Sequence, residues 1–151
     1  MENQKNLDNA RKDAFRLIKI RARSEYELYT RLKEKGYPQD ILDQLIDELK
    51  KNGFLDDLKF ARLFALDQIE LKFKGPRYIE YELKNFGVKE EIIANVLKEI
   101  SDSDFKEIFK RFKKAHKADS EDKIFEKLIK RGFDPYTVKK TLREISKEME
   151  V

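Results

Sequence analysis

The feature that most constrains this chain is a pattern that returns three times. Arg23-Ser24-x-x-Glu27-Leu28-x-x-x-Leu32-x-x-Lys35-Gly36-Tyr37 recurs as Gly75-x-x-x-Ile79-x-x-x-Leu83-x-x-Phe86-Gly87-Val88, and again as Ser120-x-x-x-Ile124-x-x-x-Leu128-x-x-Arg131-Gly132-Phe133. Gly36, Gly87 and Gly132 are 51 and 45 residues apart. Behind each glycine a stripe returns in register: Ile41/Leu45/Leu49, Ile92/Val96/Ile100 and Thr137/Thr141/Ile145. A period of this length means one supersecondary unit used repeatedly, each too small to bury a sizeable core alone. Function then belongs to an extended surface rather than to a pocket.

The units read as helices. Apolar residues recur at spacings of three and four, and most of the five glycines and three prolines sit where helices should start or stop. A first helix is expected from about Leu7 to Ala22, with Ala10, Ala14, Leu17 and Ile18 facing inward. Ser24 with Glu27 forms a capping box for the second helix, Gly36 stops it, Pro38 and Asp40 open the third, and Asn52-Gly53 close it. In the second unit Asp56-Asp57 caps a helix expected to carry Phe60, Leu63, Phe64 and Leu71, and Gly75-Pro76 breaks it. Glu90-Glu91 restart the chain after Gly87. The third unit begins near Asp102-Ser103-Asp104, breaks at Ala118-Asp119-Ser120 and restarts at Asp134-Pro135. The expected modules are residues 1–53, 54–101 and 102–151.

Catalysis has little to work with. There is one histidine and no cysteine, so the usual zinc ligands cannot be assembled, and no disulfide can form. His116 continues the stripe Phe105, Ile108, Phe109, Phe112 and reads as packed or surface-lying. Lys72-Phe73-Lys74-Gly75 lacks the glycines and Lys-Ser/Thr of a phosphate loop. The expectation is no enzyme, no cofactor and no metal. No apolar run approaches the ~18 residues of a membrane span. Met1-Glu2-Asn3-Gln4-Lys5 lacks a signal-peptide core, so the expected location is the cytoplasm, with no membrane partner.

Charge is unevenly placed. Residues 1–23 carry seven Lys/Arg against three Asp/Glu, residues 24–103 carry thirteen against seventeen, and residues 104–143 carry thirteen against seven. Lys106, Lys110, Lys113, Lys114 and Lys117 form a ridge on the seventh helix, and Lys12, Arg16, Lys19 and Arg23 form one on the first. Lys127, Lys130, Arg131, Lys139, Lys140 and Arg143 add to the third module. Such ridges either neutralise phosphates, with salt-sensitive affinity, or serve as solvated faces. A helix-turn-helix reading is disfavoured in the first two modules, where Asp43, Asp47 and Glu48, or Glu90, Glu91 and Glu99, would repel DNA. Among the tyrosines, Tyr37 aligns with Val88 and Phe133 and is assigned to the core, while Tyr78 and Tyr136 near helix starts are candidates for partner contact, together with Arg77.

Gly53-Phe54-Leu55-Asp56-Asp57-Leu58-Lys59-Phe60-Ala61 resembles the hallmark of the RecX family of recombination regulators: glycine, aromatic, aliphatic, acid, Asp, two variable residues, aromatic, Ala. The three echoed segments resemble that family's repeats, and the resemblance runs from about Ala10 to Ile145. It implies an all-α chain of three tandem three-helix repeats forming an elongated, curved molecule. It implies a non-enzymatic, cofactor-free regulator, mostly inhibitory, that binds the groove of a RecA–DNA filament. Pro76 departs from the polar or basic residue common in the family. On this reading Gly53, Phe54, Leu55, Asp56, Asp57, Phe60 and Ala61 are structural, and the partner contacts fall among the basic residues named above with Tyr78. A monomer is expected, with single- or double-stranded DNA a further partner through the basic faces. The alternatives are an autonomous, sequence-nonspecific DNA binder and a helical adaptor for another protein.

Overall fold

The computed structural model describes residues 6–101 and 104–149. Within them lie α1 (Leu7–Ile20), α2 (Glu25–Glu34), α3 (Gln39–Lys51), α4 (Asp57–Lys72), α5 (Pro76–Asn85), α6 (Glu90–Ser101), α7 (Lys106–Ala115), α8 (Glu121–Lys130) and α9 (Pro135–Met149), with no strand among the described residues. Asp102 and Ser103, where the third module was expected to begin, lie outside the described residues; Asp104 Oδ1 accepts from the Lys106 amide at 2.9 Å, at the start of α7.

The starts and stops follow local chemistry. Asn6 and Ser24 accept from the Asn9 and Glu27 amides at 2.9 and 3.1 Å, and Ser120 accepts from Lys123 at 3.2 Å. Asp134 Oδ2 accepts from the Thr137 amide at 3.1 Å, just before Pro135 opens α9. At the stops Gly36, Gly53, Gly87 and Gly132 take φ of 96°, 78°, 72° and 102°. The next amide in each case reaches back six residues inclusive, to Leu32, Leu49, Leu83 or Leu128, satisfying a free terminal carbonyl. Only glycine adopts that left-handed backbone without strain.

The chain divides into two compact units, Met1–Ala61 with Leu83–Ile92, and Arg62–Glu82 with Ile93–Val151. In the first, α1, α2 and α3 pack around Ala10, Ala14, Leu28, Leu32, Tyr37, Leu42, Leu45, Ile46, Leu49 and Leu55, with Leu17 and Ile18 partly buried against them. Ala10 and Ala14 let α1 lie close to its neighbours, whereas each fully buried leucine contributes about 1.5–3 kcal/mol. Tyr37 is buried and its hydroxyl donates to Asp13 at 2.6 Å; burial, then that carboxylate, pushes its pKa up to about 12. In the second unit Phe133 meets Phe105 and Phe109 edge-on at 5.3 and 4.9 Å, over buried Ile108, Phe112, Ile124, Leu128, Val138, Leu142 and Ile145.

Two expectations are corrected, and a third is sharpened. First, α1 ends at Ile20, so Ala22 and Arg23 lie beyond it. Arg23 is buried instead of ridged: its Nε donates to Leu17 O at 3.1 Å, tying off the end of α1, and its Nη1 reaches Glu27 at 3.2 Å. The Glu27 carboxylate is thereby drawn to Arg21 and Arg23. Second, α4 carries Phe60, Leu63, Phe64 and Leu71 as expected, and the structure adds that Phe60, Ala61, Ala65, Gln68 and Ile69 are buried, Phe64 is half-buried, and Leu63 and Leu71 are exposed. The alanines, small and apolar, lie on the buried side. Third, α7 ends at Ala115, which leaves Lys117 in the following turn.

The end of α4 is closed by arginines of the same unit. Arg111 donates to Glu70 O at 3.2 Å and to the Glu70 carboxylate at 2.8 Å, while Arg131 donates to Lys72 O at 2.8 Å. Phe73 then turns with φ 55°, uncommon outside glycine, and its ring sits edge-on to Phe112 at 5.4 Å.

Candidate functional surfaces

The RecX-like segment Gly53–Ala61 occupies the first unit, where its side chains bind their own chain. Phe54 is half-exposed and edge-on to Phe15 at 4.9 Å, Leu55 and Ala61 are buried, and Phe60 meets Phe86 edge-on at 5.2 Å. Asp56 Oδ1 accepts from the Lys59 amide at 3.1 Å and caps its own helix. Asp57 does something else: its Oδ1 accepts from the Glu25 amide at 2.9 Å, capping α2 instead of α4. Burial raises the Asp57 pKa above the usual carboxylate range, against the lowering effect of that hydrogen bond.

Beside it lies a cleft of about 470 Å³ lined by Glu25, Asp43, Asp47 and Asp57 together with Tyr26 and Tyr29. Lys89 also borders it. This is where the acidic middle of the sequence gathers in the first unit.

The basic residues separate into two groups. On α7, Lys106 and Lys110 bind the Glu148 carboxylate at 2.7 and 2.9 Å, Lys110 also reaches Glu107 at 3.4 Å, and Lys113 binds Glu121 at 2.7 Å. Hydrogen bonding to Glu148 raises the pKa of both lysines, and they hold the Glu148 pKa below its ordinary range. Lys127 pairs closely with Asp119, and Arg131 caps α4. Lys114, Lys117 and Lys130 are exposed. His116 stacks on Phe112 at 4.1 Å, with Nδ1 2.9 Å from Phe112 O.

On α9, by contrast, Lys139, Lys140, Arg143 and Lys147 are exposed and hold no ion pair among the described residues. With Tyr136, 73% exposed, and Glu144 they line a shallow groove of about 230 Å³. Tyr136 and Lys147 complete this face, and the helical spacing of 136, 139, 140, 143 and 147 is the signal that marks them as one surface. Elsewhere Lys12 and Lys19 are exposed on α1 and Arg16 pairs with Asp13 at 3.2 Å. Arg77 is exposed, and Tyr78 is half-buried under the Lys74 ammonium, 4.7 Å from its ring centre. Among the described residues no His, Cys, Asp and Glu cluster is arranged to hold a metal, and no helix is long and apolar enough to cross a membrane.

Known proteins resemble this chain in sequence and fold. Residues 10–49 match the family model for the first three-helix domain of RecX, and residues 56–97 match that for the second. The regulatory protein RecX of Thermotoga petrophila is 43% identical over 87% of this chain and 81% of its own length. That of Listeria monocytogenes is 32% identical over 100% of this chain and 60% of its own length. The crystal structure of RecX from Lactobacillus salivarius superposes with a TM-score of 0.75 over 93% of this chain and 96% of that one, at 18% identity, which establishes a shared fold. The helical repeats, the Gly53–Ala61 segment and these relatives together place the chain in the RecX family of regulatory proteins.

Proposed function

We propose that this protein is an inhibitory regulator of RecA-driven recombination and DNA repair. It lies along the groove of the RecA–DNA filament and limits ATP hydrolysis, filament growth and strand exchange. The observation that carries the reading beyond family membership is the unpaired cationic face of α9, Lys139, Lys140, Arg143 and Lys147 beside exposed Tyr136. Cations without internal partners are available to phosphate, and an aromatic ring beside them can stack a base. The acidic, tyrosine-bearing cleft of the first unit suits basic protein segments instead. Contacts of two kinds on one chain fit a filament that presents both protein and DNA, and several modest contacts add through avidity.

The test is RecA ATP hydrolysis on single-stranded DNA, titrating the protein against preformed filaments with a salt-matched control. Suppression well below one copy per recombinase subunit supports the reading; no effect from a folded protein on its cognate recombinase removes it. Replacing Lys139, Lys140 and Arg143 together by Gln should flatten the salt dependence of filament binding by about two logarithmic units per decade of salt, if each meets one phosphate of a single strand. Replacing the paired Lys106, Lys110 and Lys113 should change it far less.

A further inference from the structure

The third helices of the first and last repeats carry opposite charge on the same face. Counted from Gly36 and Gly132, Asp40, Asp43 and Asp47 of α3 stand where α9 has Tyr136, Lys139 and Arg143, and both rows end on a lysine, Lys51 and Lys147. All of these side chains are exposed, and none holds an ion pair among the described residues. The charged neighbours of the α3 row are neutralised within the first unit, Lys50 by Glu25 at 3.4 Å and Glu48 by Arg11 at 2.7 Å. The α3 face is therefore net −2, three aspartates against Lys51, and the α9 face is net +3, four cations against Glu144.

The order of the charges decides how two such rows can meet. Asp40 to Lys51 and Tyr136 to Lys147 each span eleven residues, about 16 Å of helix. Laid parallel, the rows would set Lys147 against Lys51. Laid antiparallel, Lys147 comes opposite Asp40, Arg143 beside Asp43 and Lys140 opposite Asp47, while the remaining cation, Lys51, faces the ring of Tyr136. Residues three and four apart share a helix face, so all four pairs close together.

We propose that α3 of one copy of this protein docks antiparallel on α9 of a second copy, through Asp40 with Lys147, Asp43 with Arg143, Asp47 with Lys140 and Lys51 with Tyr136. Any basic helix would answer three aspartates. The α9 row also matches their length and spacing and places an aromatic ring where the α3 row turns positive, which selects a second copy. Exposed ion pairs are individually weak and screened by salt, so the contact belongs to the concentrated protein at low ionic strength. It covers cations assigned above to phosphate, so self-association and phosphate binding exclude each other; that consequence alone rests on the function proposed above.

The experiment is sedimentation equilibrium of the full-length protein over a range of concentrations, at about 0.02 M and about 0.5 M salt. At the lower salt the mean mass should exceed 18.1 kDa and rise with concentration, and at the higher it should return to 18.1 kDa. The net charge of +4 drives copies apart at low salt, so this dependence has the sign of a specific contact. A wild type that stays monomeric at the lower salt overturns the proposal. Lys140→Asp/Lys147→Asp should keep the wild-type melting temperature and weaken the association at least about tenfold, although it brings the net charge to zero. Asp40→Lys/Asp47→Lys should weaken it as much. An equimolar mixture of the two variants should restore it, because each offers the face that the other lacks. Undiminished association of either variant alone, or none in the mixture, overturns the paired faces. Within one chain Asp40→Lys/Lys147→Asp should associate and Asp40→Lys/Lys140→Asp should not; equal behaviour overturns the antiparallel register. An oligothymidylate too short to bridge two copies should dissolve the association. Strand-bound protein that still associates overturns the exclusion, and a strand that does not bind overturns the phosphate role of α9 and leaves the contact between copies standing.

Discussion

Two joints in this chain occupy equivalent positions of the repeat and are made by different chemistry. In the first unit Ser24 Oγ caps α2 and also donates to Phe86 O at 2.6 Å, one residue before Gly87. In the second unit the position equivalent to Ser24 is Gly75, which has no side chain to offer. Its own amide donates to Arg131 O at 2.8 Å, one residue before Gly132, and the Arg77 amide donates to Gly132 O at 3.0 Å. One joint is a side chain reaching a carbonyl, and the other is backbone laid on backbone. A repeat can thus keep its register while exchanging the groups that make the bond, provided the receiving carbonyl beside the glycine turn stays in place.

The sharpest way to break the backbone joint is Gly75→Ala. A Cβ there would lie 2.5 Å from Gly132 C and Phe133 N, neither of which is a flexible side-chain end. The expected loss is about 3 kcal/mol by chemical denaturation, the upper part of the range for overpacking; a loss below about 1 kcal/mol would mean that the contact is loose. Gly87→Ala attacks the first joint. Its φ of 72° makes alanine strained, and its Cβ would overlap the Tyr26 Cβ and ring. About 2 kcal/mol should be lost. Adding Tyr26→Ala should recover only the part due to the ring and leave the strain of φ together with the overlap on the Cβ that alanine keeps, measured as a double-mutant coupling.

Ser24→Ala removes the cap and the donor to Phe86 O together, with an expected loss of about 1.5 kcal/mol. The smallest effect belongs to Asp57. Asp57→Ala should cost about 1 kcal/mol at neutral pH through loss of the acceptor for the Glu25 amide, whereas Asp57→Asn keeps an acceptor and should match the wild type or exceed it. The sign follows from burial. Because the folded-state pKa of Asp57 lies above its unfolded value, its stabilising increment is complete below the unfolded pKa and lost as pH rises through the folded pKa. Melting temperatures across that window should show the asparagine variant gaining on the wild type as pH increases; parallel profiles would show that burial does not govern this carboxylate.

These joints also mark how far sequence reasoning reaches. The Ser24 cap was legible because a capping residue acts on an amide three positions away. Gly75 reads in sequence as a helix breaker, but its deeper constraint is a backbone more than fifty residues on, which no local pattern records. Asp57 likewise looks like a cap for the helix it begins, and only folding brings the Glu25 amide to it. On α4 the helix and its apolar residues were legible, but not which of them are buried: Ala61 and Ala65 are buried, whereas Leu63 and Leu71 are exposed.

The sequence alone determined that this protein is helical, that its unit recurs three times, where most helices begin and end, and which family it resembles. Those properties follow from contacts within a few residues and from a period that survives divergence. Tertiary structure alone decided which cations remain available. Lys106, Lys110 and Lys113 form as regular a ridge in sequence as Lys139, Lys140 and Arg143 do, yet the fold brings Glu148 and Glu121 to the first set and leaves the second exposed. An ion pair depends on where a distant carboxylate comes to rest, and helical spacing carries no information about that.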